Sequence, residues 1–262
     1  YKMKKKLLIP VLALAVGALS ACGTAEEEKK TASSTSDKVL VVGTSADYAP
    51  FEYVDTAKSD EIIGFDIELA HLIADELDYE LQFVNSDFNS LIPGLQADKY
   101  DFVISGMTPT KERDEVVDFS IPYYETEQYL VFPKDSDISS LKDLNGQKVG
   151  AQTSSIQEDL AKTLAVENGF TVESRNLIPE LIQELKNERF QGAIIENIVA
   201  ENYLSQNDDL DSIFIEVEDP DYKSIAFQED SELKAQFDEV IQKLIDEGKI
   251  DELKEKWLVV EE

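Results

Sequence analysis

Residues 102–113 read FVISGMTPTKER, a short apolar run followed by a polar loop and the start of a helix. The apolar run predicts a buried strand of a parallel sheet. After it, Gly106 lets a ligand approach the backbone closely, and Pro109 fixes the turn. Thr110 then fits the N-cap of the helix. Because α/β folds bind ligands at the carboxyl ends of such strands, the stretch predicts an α/β fold with a ligand site here.

Arg113 occupies the third position of that helix, where a capping box would carry Glu or Gln. A cation there opposes the helix dipole, so an anion in front of the helix is the simplest reason for it. The guanidinium fork matches a carboxylate, and the hydroxyls of Ser105 and Thr108 complete the predicted shell. The alternative is a solvated arginine beside Asp114 and Glu115, which the strand–Gly–Thr–helix context makes the weaker interpretation.

Residues 105–113, together with FSIPYY at 119–124, resemble the extracytoplasmic amino-acid-binding proteins of ABC importers, bacterial solute-binding protein family 3. The resemblance extends from Val39 to Trp257. It implies an α/β, two-lobe, periplasmic-binding-protein-like type II fold with mixed, mostly parallel sheets, helices on both faces and a ligand cleft between the lobes. It also implies that this segment holds the α-carboxylate of an amino acid, mainly through Arg113. The ligand contacts implied here are Ser105, Gly106, Met107, Thr108 and Arg113.

Residues 43–51 read GTSADYAPF and follow an apolar strand. A loop with Gly, Pro and two aromatic residues after a strand indicates the wall of a ligand site. The resemblance places this loop over the ligand side chain, where Ser45 stands in place of the family's common aspartate. We expect Phe51, and by resemblance Tyr48 and Phe88, to stack on that side chain.

The strand KVGAQ and the turn TSS precede another helix. Ser154 with Gln157, or Ser155 with Glu158, makes a capping box at its start. N–H groups at a helix start suit a carboxylate, although an ordinary cap is the alternative. The resemblance favours ligand contacts from Gln152 and from Ser154 or Ser155, and the choice between the two serines stays open.

Glu196 follows the apolar residues 193–195, so it stands at the carboxyl end of a second predicted strand. Ligands of α/β folds bind at such strand ends. The resemblance implies an acidic residue here, usually aspartate, that holds the α-ammonium group of the ligand. Glutamate keeps the charge of aspartate and is one methylene longer.

Two similar lobes are indicated by an internal echo, in which residues 91–100 match residues 181–190 at an offset of 90. Apolar, acidic, basic and aromatic positions coincide, and an apolar strand follows each time. A chain of 262 residues also exceeds one typical core. We predict lobe 1 at 39–124, lobe 2 at 130–217, and a return to lobe 1 with C-terminal helices at 223–262. Two crossings make a hinge that lets a cleft close.

A lysine-rich start and the 13 apolar residues Leu7–Leu19 indicate a signal peptide at 1–21. The apolar run is short for a spanning helix, which needs about 20 residues. The lipobox LSAC ends at Cys22, the only cysteine, which predicts a lipoprotein anchored by diacylglycerol and palmitate. The alternative is a plain secretory signal with a stray cysteine. Residues 22–38 are expected to be a disordered tether.

The net charge is −31, and it becomes −35 once the four lysines of residues 1–21 are removed. Such acidity argues against a nucleic-acid partner. There is no Walker A sequence, no GxGxxG after a strand and no Cys/His cluster, so we expect no cofactor and no metal. Asp66 is expected to cap a helix, and His71 within it is expected to pack or face solvent rather than catalyse.

A binding protein is therefore the predicted function, because no catalytic constellation is found. The alternative is an enzyme on the same fold, such as a cyclohexadienyl or arogenate dehydratase, in which Glu196 as an enclosed acid gives a proton. A sensor domain, which needs a transmembrane helix after the second lobe, is not expected.

The expected ligand is an L-amino acid with a polar, cationic side chain, arginine first and lysine or histidine next. Aromatic faces attract cations, Asp47 and Glu52 flank the same loop, and the acidic chain draws cations in. Ser45, which lacks the family's carboxylate, suits glutamine instead. We expect a monomer at the extracytoplasmic face of the bacterial cell membrane, held through Cys22 and working with ABC transporter permease subunits.

Overall fold

The computed structural model describes residues 38–259, so the predicted signal peptide, Cys22 and nearly all of the predicted tether lie outside the described residues. The strands are β1 (Val39–Thr44), β2 (Asp47–Tyr48), β3 (Glu52–Val54), β4 (Ile62–Ile63), β5 (Glu80–Asn85), β6 (Phe102–Val103), β7 (Asp118–Phe119), β8 (Tyr124–Thr126), β9 (Gln128–Pro133), β10 (Lys148–Gln152), β11 (Thr171–Arg175), β12 (Gly192–Glu196), β13 (Leu210–Ile215), β14 (Asp221–Lys223) and β15 (Ala226–Phe227). The helices are α1 (Phe65–Leu77), α2 (Leu91–Gln96), α3 (Lys111–Asp114), α4 (Ile156–Asn168), α5 (Ile178–Lys186), α6 (Asn197–Leu204), α7 (Glu232–Asp246) and α8 (Lys249–Trp257).

Two five-stranded sheets carry the fold, in the strand orders β5-β1-β6-β15-β7 and β11-β10-β12-β9-β13. In the first sheet β1 runs parallel to β5 and β6, whereas β15 runs antiparallel to β6 and β7. In the second sheet β10 runs parallel to β11 and β12, whereas β9 runs antiparallel to β12 and β13. The predicted α/β fold with two mixed sheets is therefore confirmed. The sheets are not mostly parallel as predicted, because each has two parallel and two antiparallel pairs.

The second sheet has helices on both of its faces. Neighbouring residues of a strand point to opposite faces. Accordingly, Ile194 packs in one core cluster with Ala161 of α4, whereas Ile195 packs in another with Leu181 of α5. Each helix therefore packs the apolar side of its amphipathic pattern against one face of this sheet.

The first sheet is built from residues 39–119 and from β15 near the other end of the chain, whereas the second uses only residues 128–215. We call the two parts lobe 1 and lobe 2. The connecting strands β8 and β14 form an antiparallel ladder that pairs Tyr124 with Lys223 and Thr126 with Asp221. Both chain crossings therefore lie side by side, an arrangement that suits a hinge.

The internal echo of the sequence corresponds to the same packing contact in each lobe. Tyr100 covers Gly43 of β1, where an added Cβ would lie 2.7 Å from the ring. Phe190 covers Gly150 of β10, where an added Cβ would lie 2.6 Å from the ring. Each aromatic residue is the last residue of its echoed segment. In each lobe it packs against a glycine of the first parallel strand.

The start of α1 differs from the prediction. Its N-cap residue is Gly64, and Asp66 does not cap the helix. The buried carboxylate of Asp66 instead accepts hydrogen bonds from the N–H of Gly106 at 2.7 Å and from the hydroxyl of Tyr123 at 2.9 Å. The prediction is wrong because local spacing cannot show a partner that lies 40 residues away in the chain.

Candidate ligand-binding site

A cavity lies among the loops that follow β1, β6 and β10 and beside the crossing strand β14. These loops leave the carboxyl ends of parallel strands, the place where α/β folds bind ligands. Its wall consists of Ser45, Asp47, Tyr48, Glu52, Phe88, Ser105, Gly106, Thr108, Arg113, Gln152, Ser155, Ile156, Gln157 and Lys223. Both lobes and a crossing strand therefore contribute to one site.

Most of the predicted ligand contacts meet in this wall. Those that line the cavity are Ser45, Tyr48, Phe88, Ser105, Gly106, Thr108, Arg113, Gln152 and Ser155. Those that lie outside its wall are Phe51, Met107, Ser154 and Glu196. The wall also contains Ile156, Gln157 and Lys223, which sequence reasoning missed.

The guanidinium of Arg113 joins the two lobes. Its Nη1 donates to the carbonyl oxygen of Thr108 at 2.6 Å, and its Nη2 donates to that of Ser154 at 2.9 Å. It also lies 5.4 Å from the ring centre of Phe88. The predicted N-cap holds it in place, because Thr110 Oγ1 accepts the N–H of Arg113 at 3.2 Å. Burial lowers the pKa of Arg113 to about 10, so the group remains a cation at neutral pH.

The two serines before α4 have different roles. Ser155 is the N-cap, and its hydroxyl accepts the N–H of Glu158 at 3.1 Å. Ser154 has a left-handed backbone with a φ of 62°, which costs a residue other than glycine on the order of 1 kcal/mol. Its N–H donates to Glu158 Oε2 at 2.9 Å, and its carbonyl binds Arg113. Of the two, Ser155 lines the cavity.

The aromatic wall is formed by Tyr48 and Phe88, with Phe51 behind it. Phe51 is fully buried and packs against Tyr48 with ring centres 6.0 Å apart, so it supports the wall without lining it. Gly106 adopts a φ of 47°, and a Cβ there would lie 3.0 Å from the Tyr48 ring. Met107 is buried, and its carbonyl accepts the N–H of Ser224 at 2.9 Å. The loop therefore needs glycine at position 106 for both its backbone and its packing.

Asp47 forms a second bridge between the lobes. Its Oδ1 accepts the hydroxyl of Ser45 at 2.8 Å, and its Oδ2 accepts the N–H of Ile178 at 2.8 Å and Nε2 of Gln152 at 3.3 Å. Because Ile178 is the first residue of α5, the carboxylate lies at a helix N-terminus, where negative charge is stabilised. Burial raises the pKa of Asp47, and these hydrogen bonds oppose the rise. The protein itself therefore satisfies this carboxylate.

Glu52 lines the cavity with a carboxyl group of which only one oxygen is hydrogen-bonded within the described residues. Its side chain is fully buried, and Oε1 accepts the hydroxyl of Ser105 at 2.8 Å. Among the described residues, Oε2 has no hydrogen-bond partner. Burial and the nearby Asp66 raise the pKa of Glu52 well above its ordinary value. A buried acceptor without a donor is costly, so this oxygen marks a place for a donor from a ligand.

Glu196 ends β12 and forms an ion pair with Lys223 of β14, and both side chains are almost completely buried. Lys223 Nζ also donates to Thr108 Oγ1 at 3.3 Å. Glu196 Oε2 accepts a long bond from Thr126 at 3.4 Å, whereas Oε1 has no partner within residues 38–259. Burial raises the pKa of Glu196, and Lys223 opposes the rise. The acid predicted to hold a ligand's ammonium group is thus paired with a lysine of its own chain.

Stability should depend on pH through Asp66, because burial raises its pKa from 3.8 to about 6 although its hydrogen bonds and Lys223 oppose the rise. A carboxyl group with a higher pKa in the folded protein stabilises the fold below its unfolded pKa. That contribution is lost as pH rises through the folded pKa. We expect the free energy of unfolding to fall by about 3 kcal/mol from this group between about pH 3 and about pH 7.

Urea unfolding of wild type and Asp66→Asn over that pH range measures this contribution. The variant loses an acceptor for Gly106 or Tyr123 at every pH, so it should be less stable at low pH. Its deficit should then shrink by about 3 kcal/mol as pH rises, because only wild type loses the contribution. Asp75→Asn, at an exposed position of the same helix, is the control. A deficit that stays constant with pH would contradict the prediction.

In the part of the chain that the structure describes, no group of three or more His, Cys, Asp or Glu side chains is arranged to hold a metal ion. Within residues 38–259, no helix is both long and apolar enough to cross a membrane.

A two-lobe fold with a charged cleft at strand ends is the architecture that the sequence resemblance implies. The sequence model of bacterial extracellular solute-binding proteins, family 3, matches residues 40–260. The chain belongs to this family. The match covers nearly all of the described residues, so both lobes and the cleft between them are family features.

Individual relatives agree with this assignment. The chain is 47% identical over 265 residues to the arginine-binding extracellular protein ArtP of Bacillus subtilis, covering 99% of this chain and 100% of that protein. The AbpA substrate-binding protein of Streptococcus pneumoniae, solved with bound L-arginine, is 39% identical with a TM-score of 0.78, over 85% of this chain and 95% of that one. The ancestral amino-acid-binding protein AncCDT-1, a precursor of cyclohexadienyl dehydratase, is 31% identical with a TM-score of 0.77, over 86% and 97% of the two chains.

These relatives decide between the two predicted classes of function. The family is one of extracellular solute-binding proteins, and the chain is a solute-binding protein of an ABC amino acid importer rather than an enzyme. The dehydratase alternative is not supported, because even the relative on the path to that enzyme is an amino-acid-binding protein. Family membership also indicates a location outside the cytoplasm.

Proposed function

We propose that this solute-binding protein captures an L-amino acid with a cationic side chain, L-arginine first and L-lysine or L-histidine next, and delivers it to the permease subunits of an ABC importer. The observation that carries the proposal is that Arg113 lines the same cavity as Glu52, whose buried Oε2 has no hydrogen-bond partner within residues 38–259. A guanidinium and a buried carboxyl oxygen that lacks a donor, both in one cavity, suit a ligand that carries a carboxylate and an ammonium group.

The ligand carboxylate is assigned to Arg113. Two N–H donors of its guanidinium bind the backbone, and the remaining donors are free to bind a carboxylate. The start of α4 at Ile156 and Gln157 lines the same cavity, and N–H groups of a helix start favour an anion. Tyr48 and Phe88 offer aromatic faces to the side chain, and such faces attract cations.

The charges around the cavity favour a ligand with a net positive charge. The cationic side chains in the cavity wall are Arg113 and Lys223. The acidic side chains in the wall or directly behind it are Asp47, Glu52, Asp66 and Glu196. Burial raises the pKa of each of these acids, so a cationic amino acid would favour their ionised forms, whereas glutamate would oppose them. Glutamine remains the second candidate, since Ser45 supplies a hydroxyl where the resemblance implies a carboxylate.

A thermal-shift screen of the twenty L-amino acids at equal concentration tests the ligand class. A ligand that binds only the folded protein raises its melting temperature by mass action. We expect arginine to give the largest shift, lysine and histidine smaller ones, and glutamate none. Stabilisation by glutamine or an aliphatic amino acid without stabilisation by arginine would contradict the cationic assignment. No shift with any amino acid would contradict amino-acid capture itself.

The proposed location is the outer face of the cell membrane, with the monomeric protein held through a lipid on Cys22. The support is the lipobox LSAC at the end of a signal peptide, together with an extracellular family. We expect Cys22→Ser to move the protein from the membrane fraction to the medium, because stable anchoring needs the acyl chains that the thiol carries. Immunoblotting of both fractions measures this. Retention of Cys22→Ser on the membrane would point to another anchor.

A further inference from the structure

We propose that Lys223 determines how much affinity the protein gains from the ligand's α-ammonium group, because its own ammonium already binds the carboxylate expected to hold that group. The inference rests on the proposed function, amino-acid capture in this cavity. It makes Lys223 a specificity-determining residue that no local sequence pattern indicates.

The contacts of Lys223 are those expected of a ligand's ammonium group. Its Nζ forms an ion pair with Glu196 of lobe 2 and donates to Thr108 Oγ1 of lobe 1 at 3.3 Å. Both partners belong to the ligand contacts predicted from the sequence. Lys223 itself lines the cavity, whereas Glu196 lies outside its wall. The lysine therefore lies between the ligand space and the acid.

The position of Lys223 is fixed by the backbone of both crossings. Its carbonyl accepts the N–H of Tyr123 at 3.0 Å, and the next residue, Ser224, donates to the carbonyl of Met107 at 2.9 Å. The residue is 1% exposed, so its ammonium has no route to bulk water without movement of the crossing strand. A buried ammonium needs acceptors, which Glu196 and Thr108 supply.

A ligand's α-ammonium therefore enters a site that already holds a cation. Oε1 of Glu196 and Oε2 of Glu52 have no hydrogen-bond partner within residues 38–259, and they are the acceptors that we assign to it. Because Lys223 has neutralised Glu196 and repels a second cation, the gain from the α-ammonium is smaller than at a free carboxylate. Neutralising residue 223 should enlarge that gain, and removing the acid as well should abolish the enlargement.

Calorimetric titration with two ligands measures this gain. L-arginine is compared with 5-guanidinopentanoate, which is arginine with hydrogen in place of the α-ammonium group. The quantity of interest is the ratio of the two dissociation constants, desamino compound over arginine. It is measured for wild type, Lys223→Gln, Lys223→Met, and Lys223→Gln combined with Glu196→Gln. Lys234→Met, which removes a surface lysine paired with Asp238 at 2.7 Å, is the control.

We expect the ratio to be at least about tenfold larger in Lys223→Gln and Lys223→Met than in wild type, from the energy of a charge-assisted hydrogen bond. In the double variant and in Lys234→Met it should return to within about threefold of wild type. Lys223→Gln keeps an amide donor for Glu196, so it carries the test if Lys223→Met does not fold. A purely structural lysine would change both affinities together and leave the ratio alone.

The outcomes separate the inference from the function on which it rests. If wild type binds arginine and the ratio is unchanged in both Lys223 variants, the inference is wrong and amino-acid capture stands. An enlarged ratio that persists in the double variant also overturns it, because Glu196 would not be the group involved. If wild type binds neither compound, the proposed function is wrong and the inference falls with it.

Discussion

Arg113→Ala should weaken the binding of L-arginine by about 3–5 kcal/mol, the cost of removing one partner of a buried ion pair. In affinity this is a loss of roughly 150-fold to 5,000-fold. The ligand's carboxylate would be left in the cavity without its cation. The variant also loses the hydrogen bond of Nη2 to the Ser154 carbonyl, which joins the two lobes at 2.9 Å. Calorimetry on the purified protein measures the change directly.

The control for this variant is Arg189→Ala. Arg189 is an exposed arginine of lobe 2 that pairs with Glu184 at 3.4 Å and does not line the cavity. Exposed ion pairs contribute little, so its removal should leave the affinity unchanged. An Arg113→Ala protein that is folded and binds arginine as tightly as wild type would place the carboxylate elsewhere.

Lys223→Met should lower the free energy of unfolding by about 3–5 kcal/mol, because it leaves the buried Glu196 without its charge partner. Urea unfolding at neutral pH without ligand measures the loss. Combining Lys223→Met with Glu196→Gln should recover much of it, since no unpaired charge then remains. The surface variant Lys234→Met should change stability by less than about 1 kcal/mol.

A double variant as unstable as Lys223→Met alone would show that the charge pair is not what stabilises the crossing. The loss would then belong to the packing of the lysine stem against its neighbours. The same proteins serve the ligand-ratio experiment, so stability and specificity are measured on one set of variants. A fall of 3–5 kcal/mol is a large part of the stability of a typical domain.

The part of the site that sequence reasoning found is the part with local signals. Thr110 and Ser155 follow strands and precede helices, and both act as N-caps in the structure. Arg113 stood out because a cation in the first turn of a helix opposes the helix dipole unless an anion lies in front of it. The structure supplies two carbonyls and a cavity at that place. Capping rules and charge position indicated the two caps and Arg113, whereas the resemblance was needed to favour a ligand contact from the serines before α4.

The part that was missed depends on contacts between distant segments. Lys223 lies in the polar sequence DPDYKS, and nothing local indicates that it is buried. Its burial follows from the pairing of β14 with β8, about a hundred residues away in the chain, and from Glu196 on lobe 2. The sequence signal that could have identified it is a lysine at a predicted lobe crossing, combined with an acidic residue at the end of a predicted strand.

Two further differences between the sequence-based prediction and the structure have the same cause. Phe51 is aromatic and lies in the ligand loop, yet its ring is turned into the core against Phe65 at 5.9 Å, because β2 and β3 form a tight antiparallel pair. Asp66 has the spacing of a helix cap, but its carboxylate holds the backbone of Gly106. In both cases tertiary packing overrides a correct local pattern, which single-sequence spacing cannot reveal.

The central claim is that the cleft holds an amino acid by its carboxylate through Arg113. The most direct test is calorimetry of wild type and Arg113→Ala with L-arginine and with agmatine, which is arginine without its carboxylate. We predict that wild type binds agmatine at least about 100-fold more weakly than arginine. In Arg113→Ala, the two ligands should differ by less than about fivefold. Equal affinities of wild type for the two ligands, or an undiminished preference for arginine in Arg113→Ala, would contradict the claim.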